Sequence, residues 1–350
     1  MKSRIVTTKE IAIRAGVSRG VVSFVLNGSN GNIRVSEDTR RRVIDAANEL
    51  GYTPNQAAQS LRRGTSKMIG YVKREIQKTW LEQTVSHLLS TYVTTNAQKR
   101  GYNIIEVSPE SQTSNQQSLT QILMSHRVDG VIFDWPISHT VVEPFVNNGI
   151  PIVQLLRPQY TVATSTVIVD ASKGISDAVA HLVHLGHTRI AYIGHGGNHP
   201  VDKSRFENFV NSLKNNCLNI YNEYVKLGSS YSLTEGYEFT LDLLKLKNPP
   251  TAIFTSSDIH ALGTLRALYH EHINVPNDIS VISYDDMLGN LLYPPLTSVS
   301  QPFEEIAESA VELIIGEIEG DGSNPQHNRH IFLPTYLTVR ESTAMPNVPS

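Results

Sequence analysis

The 350-residue sequence contains a single cysteine, Cys217. One thiol closes no intrachain disulfide and supplies no structural zinc site, so neither framework is expected. No uninterrupted apolar run approaches the ~18 residues needed to span a bilayer. The stretch MKSRIVTTKEIA is basic but lacks the apolar core and small-residue cleavage site of a secretory signal. A cytoplasmic protein with no membrane partner is therefore expected. Apolar residues make up 40% of the chain and charged ones 18%, a globular balance that excludes large-scale disorder. At roughly 100–200 residues per domain, the length predicts two or three domains.

Charge is divided unevenly. Residues 1–67 carry 12 Lys or Arg against 5 Asp or Glu, a surplus of seven, although the whole chain is at −3. The remainder must therefore sit at −10. A basic head on an acidic body suits contact with a polyanion. A merely solvated basic surface is the alternative, and the local pattern has to separate the two.

That pattern reads as three short helices. Thr7 and Glu10 form a capping box, followed by apolar Ile11, Ala12 and Ala15, and Gly16 stops the helix. Ser18 caps a second helix with the stripe Val21, Val22, Val25 and Leu26. The tight Ala15-Gly16-Val17-Ser18 connection describes a helix-turn-helix, whose second helix is the one that enters a major groove. Ser36 caps a third helix that buries Val43, Ala47 and Leu50 and ends at Gly51. Of Arg40, Arg41 and Arg42, at least one is available to a phosphate and the others are surface. Pro54 then opens a segment of about two helical turns, through Leu61, too short to be stable alone. Arg62-Arg63-Gly64-Thr65-Ser66 reads as a linker. Coupled folding on DNA would explain an apolar Leu61 beside two arginines, and an inert tether is the alternative.

The runs TTKEIAIRAGVSRGVVSFVLNG and RVSEDTRRRVIDAANELGYTPNQAAQSLRRG resemble the DNA-binding head of the lactose/galactose-repressor (LacI/GalR) family of bacterial transcription regulators. The resemblance implies base-edge contacts from Arg19, Gly20, Val21, Ser23, Phe24 and Asn27. Phosphate contacts would come from Thr7 and Ser18, and Thr8 and Arg34 would also contact the DNA. It also implies a hinge helix at about 54–62, in which Leu61 wedges into the minor groove. Asn55, Ala58, Gln59 and Arg62 would lie beside it. Paired hinges at a two-fold axis require a homodimer and a pseudo-palindromic operator in double-stranded DNA. Two departures stand out. Gly20 weakens its helix by ~1 kcal/mol relative to alanine. Phe24 cannot make the bidentate guanine contact of an arginine. The loop at 28–34 is also about three residues longer than the family pattern.

From Met68 onward, short apolar strands alternate with amphipathic helices in two series, which means parallel sheets covered on both faces. The fold class expected is therefore an all-α helix-turn-helix head plus an α/β, two-lobed body. By resemblance that body is like a type I periplasmic binding protein. Expected bounds are 1–64 for the head and 65–350 for the body. Lobe 1 would span about 68–166 and 299–326, and lobe 2 about 167–298 and 327–342. Crossovers are expected near Thr166–Val169, Thr297–Ser300 and Asn324–His330, with HIFLPTYLTVR as a final strand of lobe 2.

Ligands of open parallel sheets sit beyond the carboxyl ends of the strands. Arg74, Asp134, Arg157, Asp258 and Asp285 stand at such ends. The resemblance adds Arg205, Ser257 and Gln301 as effector contacts, and Trp80, by its ring alone, offers a flat face for a sugar. Bland roles stand beside these: Asp258 as a helix cap, Asp286 as a turn residue, Trp80 as core. Leu156 stands where many sugar-responsive members carry an aspartate. The implied function is a repressor whose operator affinity is set by a small-molecule effector, a carbohydrate by preference. The alternative is an effector-independent or co-repressor-dependent regulator with a nucleobase or anionic ligand. No cofactor and no metal are expected, since His181, His184 and His187 lack a completing carboxylate. Two other classes compete. A pure solute-binding protein leaves the basic head unexplained. An enzyme would need a strand-end nucleophile beside a base. No leucine-heptad tail follows the last strand, so a dimer is expected rather than a tetramer.

Overall fold

The computed structural model describes residues 6–27, 34–52, 64–73, 80–108, 119–134, 139–156, 164–197, 200–320 and 329–347. The expected hinge helix, with Asn55, Ala58, Gln59, Leu61 and Arg62, falls outside them, as do Arg74 and Arg157. So do the side chains of Asn27 and Trp80. The chain forms two compact units, residues 1–67 and 68–350.

The first unit contains helices α1 (Thr8–Ala15), α2 (Arg19–Asn27) and α3 (Glu37–Glu49). Thr7 accepts from Glu10 N while the Glu10 carboxylate accepts from Thr7 N at 2.8 Å, so the expected capping box is complete. Gly16 takes φ +66°, a left-handed conformation that glycine adopts without a Cβ penalty, and so turns the chain into α2. Ile11, Ala12, Ala15, Val22, Val43, Ala46 and Ala47 are buried together. The alanines allow three short helices to approach closely around a small core.

The second unit holds two sheets. Lobe 1 is built from β1 (Met68–Val72), α4 (Trp80–Lys99), β2 (Asn103–Val107), α5 (Leu119–Ser125), β3 (Gly130–Phe133), α6 (His139–Asn147), β4 (Ile152–Leu155) and β5 (Ser165–Asp170). Lobe 2 follows with α7 (Ser172–His184), β6 (Ile190–His195), α8 (Pro200–Asn215), β7 (Val225–Gly228), α9 (Leu233–Leu244), β8 (Ala252–Thr255), α10 (Asp258–His270), β9 (Ser280–Asp285) and β10 (Thr297–Ser300). Then come α11 (Phe303–Glu319), β11 (His330–Pro334) and β12 (Tyr336–Thr338). The strand orders are β11-β5-β4-β3-β1-β2 and β12-β10-β9-β8-β6-β7. All described pairings are parallel except β10 with β12. Each sheet has an apolar cluster on both faces, which explains why strands such as Gly130–Phe133 are buried at every position.

The expected lobe boundaries need correction. Residues 165–170 and 297–300, expected as crossovers, are strands whose backbone is paired in the sheets. The final run HIFLPTYLTVR does not stay in lobe 2. Residues 330–334 pair with β5 in lobe 1, and 336–338 pair with β10 in lobe 2. The actual passages between lobes are the short joints after Asp170, Ser300 and Pro334. An apolar run long enough for one strand is also long enough for two short ones, and only the positions of the two sheet edges choose between them.

These joints meet. Thr335 N donates to the Asp170 carbonyl at 3.0 Å. A Cβ placed on Gly174, in the first turn of α7, would lie 2.6 Å from Val299 Cγ1 and 2.9 Å from Thr335 Cβ. β5 and β11 leave lobe 1 at their carboxyl ends, and β10 leaves lobe 2 at its own. The carboxyl ends of both sheets therefore border the same joints.

Candidate functional site

In the head, Ser18 Oγ accepts from Val21 N at 3.3 Å and so caps α2. Thr7, Ser18, Arg19, Gly20 and Arg34 are exposed, and Thr8, Val21, Ser23 and Phe24 are half-buried. A Cβ on Gly20 would meet only Ser18 Oγ, at an ordinary 3.6 Å, so no packing demands glycine there. Phe24 lies outside the head's apolar cluster. Arg42 is a brace: its Nη1 donates to the Ala15 carbonyl at 3.3 Å, tying α3 to the end of α1.

In lobe 1, Asp134 follows β3 and is buried. Its Oδ2 accepts from Tyr71 Oη at 3.3 Å and from Ser86 Oγ. Burial, then the Asp134 charge, pushes the Tyr71 phenol well above its ordinary range, so the phenol stays a donor. Lys73 follows β1, pairs with Glu106, and lies 3.2 Å from His87 Nδ1. Burial works against the Glu106 carboxylate, but Lys73 and Ser90 hold its pKa below the usual value. Leu156 packs on the lobe 1 core.

Lobe 2 brings three of the expected residues together. The carboxylate Oδ1 of Asp285 accepts from Gln301 Nε2 at 2.6 Å and from Arg205 Nη2 at 3.4 Å. Arg205 Nη1 donates to the Ser256 carbonyl at 2.8 Å, and its Cζ lies 3.8 Å from the centroid of the Tyr284 ring. Burial pushes the Asp285 carboxyl up to about 7, against the opposing pull of Arg205. Burial also opposes the guanidinium charge, yet Tyr284 and Asp285 hold the Arg205 pKa above its ordinary value. Asp285 takes φ +98° at the end of β9, and a non-glycine residue held there is strained. The arrangement offers a planar donor and a carboxylate side by side, the chemistry that grips neighbouring hydroxyls.

Ser257 and Asp258 are buried beside this group but are engaged structurally. Ser257, not Asp258, caps α10, accepting from His260 N. Asp258 Oδ2 accepts from Met287 N at 2.7 Å and Leu288 N at 2.8 Å, and its Oδ1 from Ser283. It therefore fixes the turn after Asp285. Asp286 is gripped by Arg340, whose Nη1 donates to its Oδ1 at 2.6 Å, an ion pair with the C-terminal segment that the sequence reading did not foresee.

Several residues were missed. Tyr231 is stacked between two imidazoles, His195 at 5.2 Å and His260 at 5.6 Å between centroids. Asp202 accepts from Tyr231 Oη and pairs with His195 Nδ1 at 2.9 Å. Burial lowers the His260 pKa to about 4, so the ring is neutral. The strand-end rule would have flagged His195 at the end of β6. Asp202 stands one turn before Arg205 on α8, on the same helix face. Tyr231 carries no comparable local signal.

Residues 7–55 match the family described as bacterial regulatory proteins, lacI family, and residues 179–343 match a periplasmic binding protein-like domain. The HTH-type transcriptional regulator DegA of Bacillus subtilis is 30% identical over 346 residues, covering 97% of this chain and 99% of the relative. The HTH-type transcriptional repressor CytR of Escherichia coli is 28% identical, covering 97% of each. Among solved structures, the lac repressor dimer bound to operator and the anti-inducer ONPF aligns with a TM-score of 0.77 at 25% identity. That alignment covers 97% of this chain and 100% of the other. The complex of the transcriptional regulator CelR with cellobiose aligns with a TM-score of 0.68 at 28% identity, covering 96% and 99%. No helix among the described residues is long and apolar enough to cross a membrane. With the helix-turn-helix head and the two-sheet body in the same order as in these relatives, and one of them 30% identical almost end to end, the chain belongs to the LacI family of DNA-binding transcription regulators.

Proposed function

We propose that the protein is a homodimeric repressor of a pseudo-palindromic operator, controlled by a carbohydrate effector bound between the two lobes. The observation that carries the effector reading is the Arg205–Asp285–Gln301 group at the carboxyl ends of the lobe 2 strands, beside the joints to lobe 1. Those ends are where open parallel sheets bind ligands. The Arg205 charge already faces the Asp285 carboxylate at 3.4 Å, which favours a neutral polyol over an anionic ligand. In the CelR complex the bound molecule is cellobiose, a ligand of that kind.

The DNA reading rests on α2. Arg19 is the exposed cation at its start, beside Gly20, Val21, Ser23 and Phe24, with Asn27 at its end. Direct polar readout falls to Arg19, and Phe24 meets at most a thymine methyl. The hinge at about 54–62, with Leu61 as its wedge, completes the contact. An effector acts by binding one lobe arrangement better than the other, which shifts operator affinity by a coupling of commonly 1–3 kcal/mol.

The test is selection of duplexes from a random pool by the full chain, followed by titration of a sugar panel against the selected site. A two-fold symmetric consensus is expected, with the protein released from it by one sugar and that release abolished by Arg205→Ala. A site indifferent to every sugar ends the effector reading, and an asymmetric consensus ends the dimer reading. Leu61→Ala lowers affinity for the selected site far more than for random duplex. Equal losses on both would remove the wedge.

A further inference from the structure

Asp285 and Asp286 are consecutive non-glycine residues with positive φ, +98° and +61°. Backbone of that kind persists only where its surroundings over-determine it. Residues 285–287 are each held by a different part of the fold. Asp285 belongs to the Arg205–Gln301 group. Asp286 is clamped from two sides. Arg340 grips it with both terminal nitrogens, Nη1 donating to Oδ1 at 2.6 Å and Nη2 to Oδ2 at 3.0 Å. Ser300 Oγ donates to the same Oδ2 at 2.6 Å. Gly289 leaves room for this pair, since a Cβ there would collide with Asp286 Oδ1 and Arg340 Nη1. Met287 comes next. Its N–H donates to Asp258 Oδ2 at 2.7 Å, and its side chain packs on the apolar cluster of lobe 1. Among the described residues it is the one lobe 2 side chain packed there.

The passage from lobe 2 to lobe 1 starts at the same place. Ser300 and Gln301, its first two residues, hold Asp286 and Asp285 respectively. Charge makes the clamp necessary. Burial raises the Asp258 and Asp285 carboxyls, and the Asp286 charge adds to the first as the Asp258 charge adds to the second. Arg205 answers Asp285, and Arg340 answers Asp286. Without Arg340, the Asp286 carboxylate keeps Ser300 as its described partner and faces like charge nearby. We infer that residues 285–287 form a latch between the two lobes, with Arg340 and Ser300 as positioning residues for Asp285 and Met287 as the anchor on lobe 1. A ligand that meets Asp285 thereby acts on the passage and on lobe 1 through the two residues that follow. The latch stands on these contacts alone, whereas its bearing on operator affinity rests on the effector site proposed above.

The test uses the full-length protein, and its first arm, amide hydrogen exchange, needs no effector. Arg340→Gln breaks a largely buried charge pair, so exchange across 287–292 should speed up roughly tenfold or more. Met287→Ala should speed exchange at the start of α11, where Ile306 N donates to the Pro302 carbonyl. Met287→Leu, which keeps the packing, should stay at the parent rate. Unchanged exchange at the start of α11 in Met287→Ala overturns the latch. Unchanged exchange across 287–292 in Arg340→Gln removes Arg340 from it. Ser300→Ala, which deletes one bond and adds no bulk, gives the same reading if Arg340→Gln does not fold. The second arm is release from the selected operator, with cellobiose, glucose and ribose as probes. Met287→Ala should shrink the sugar-induced change in operator affinity roughly 2–30-fold, and Met287→Leu should retain it. A full response in Met287→Ala would show that the signal bypasses the latch and overturn it. An operator complex indifferent to all three sugars counts against the effector reading alone, and the exchange arm still decides the latch.

Discussion

Gly174→Ala places one methyl group where the joints between the lobes meet. The new Cβ would stand 2.6 Å from Val299 Cγ1 and 2.9 Å from Thr335 Cβ, against an optimal carbon–carbon separation of roughly 3.5–4.0 Å. Neither neighbour yields easily. Val299 lies in β10, paired on both sides, and Thr335 is tied to Asp170. Overpacking of this kind costs about 1–3 kcal/mol. Alanine in a helix returns about 0.5–1 kcal/mol relative to glycine, so a net loss centred at ~1 kcal/mol, and at most roughly 2.5 kcal/mol, follows from those two ranges. Urea unfolding followed by circular dichroism measures it. Val299→Ala in the same chain removes one of the two clashes and leaves that with the Thr335 side chain, so the double variant should be more stable than the two single losses predict but still below Val299→Ala alone. If Gly174→Ala is as stable as the parent, the joints are compliant and the close contact there is not a constraint. The same variant should alter how strongly a sugar changes operator affinity, because the passages between the lobes converge on that residue.

Other consequences are equally direct. Because burial pushes Asp285 up to about 7, the folded chain keeps a proton that the unfolded chain, at roughly 3.9, has released. Its contribution to stability is therefore lost as pH rises through that window, and Asp285→Asn should gain on the parent between those limits. Urea midpoints whose difference is flat with pH would contradict this. Asp258→Ala leaves the Met287 and Leu288 N–H groups and the Ser283 hydroxyl without their acceptor. A loss of about 3 kcal/mol or more is expected at roughly 1–3 kcal/mol per group, read as a large drop in melting temperature; a loss under half of that would mean solvent reaches the turn. Gly20→Ala has open space around its Cβ, so it should stabilise the head by up to about 1 kcal/mol. Denaturation followed by helix signal tests this, and a destabilised head would show that the glycine serves the fold.

The sequence by itself determined whatever depends on neighbouring residues. The capping box at Thr7 and Glu10, the stop at Gly16 and the cap at Ser36 are properties of a few consecutive side chains, and all are formed. Alternation of apolar strands with helices announced two parallel sheets, because buried strands must be apolar on both faces. The strand-end rule points to Asp285 and the family resemblance to Arg205 and Gln301, and the fold brings these three side chains into contact.

Tertiary structure decided what depends on residues far apart in the chain. Asp258 and Asp286 carry the same side chain as Asp285. One became a bracket for a turn and another half of an ion pair with Arg340, because the partners arrive from residues 283–288 and from the C-terminal segment. The division of 330–338 between two sheets was equally invisible, since strand propensity names no partner edge. Tyr231 was overlooked for the same reason: only folding sets it between His195 and His260. Local pattern fixes conformation, whereas the role of a buried polar group is set by what the chain brings to meet it.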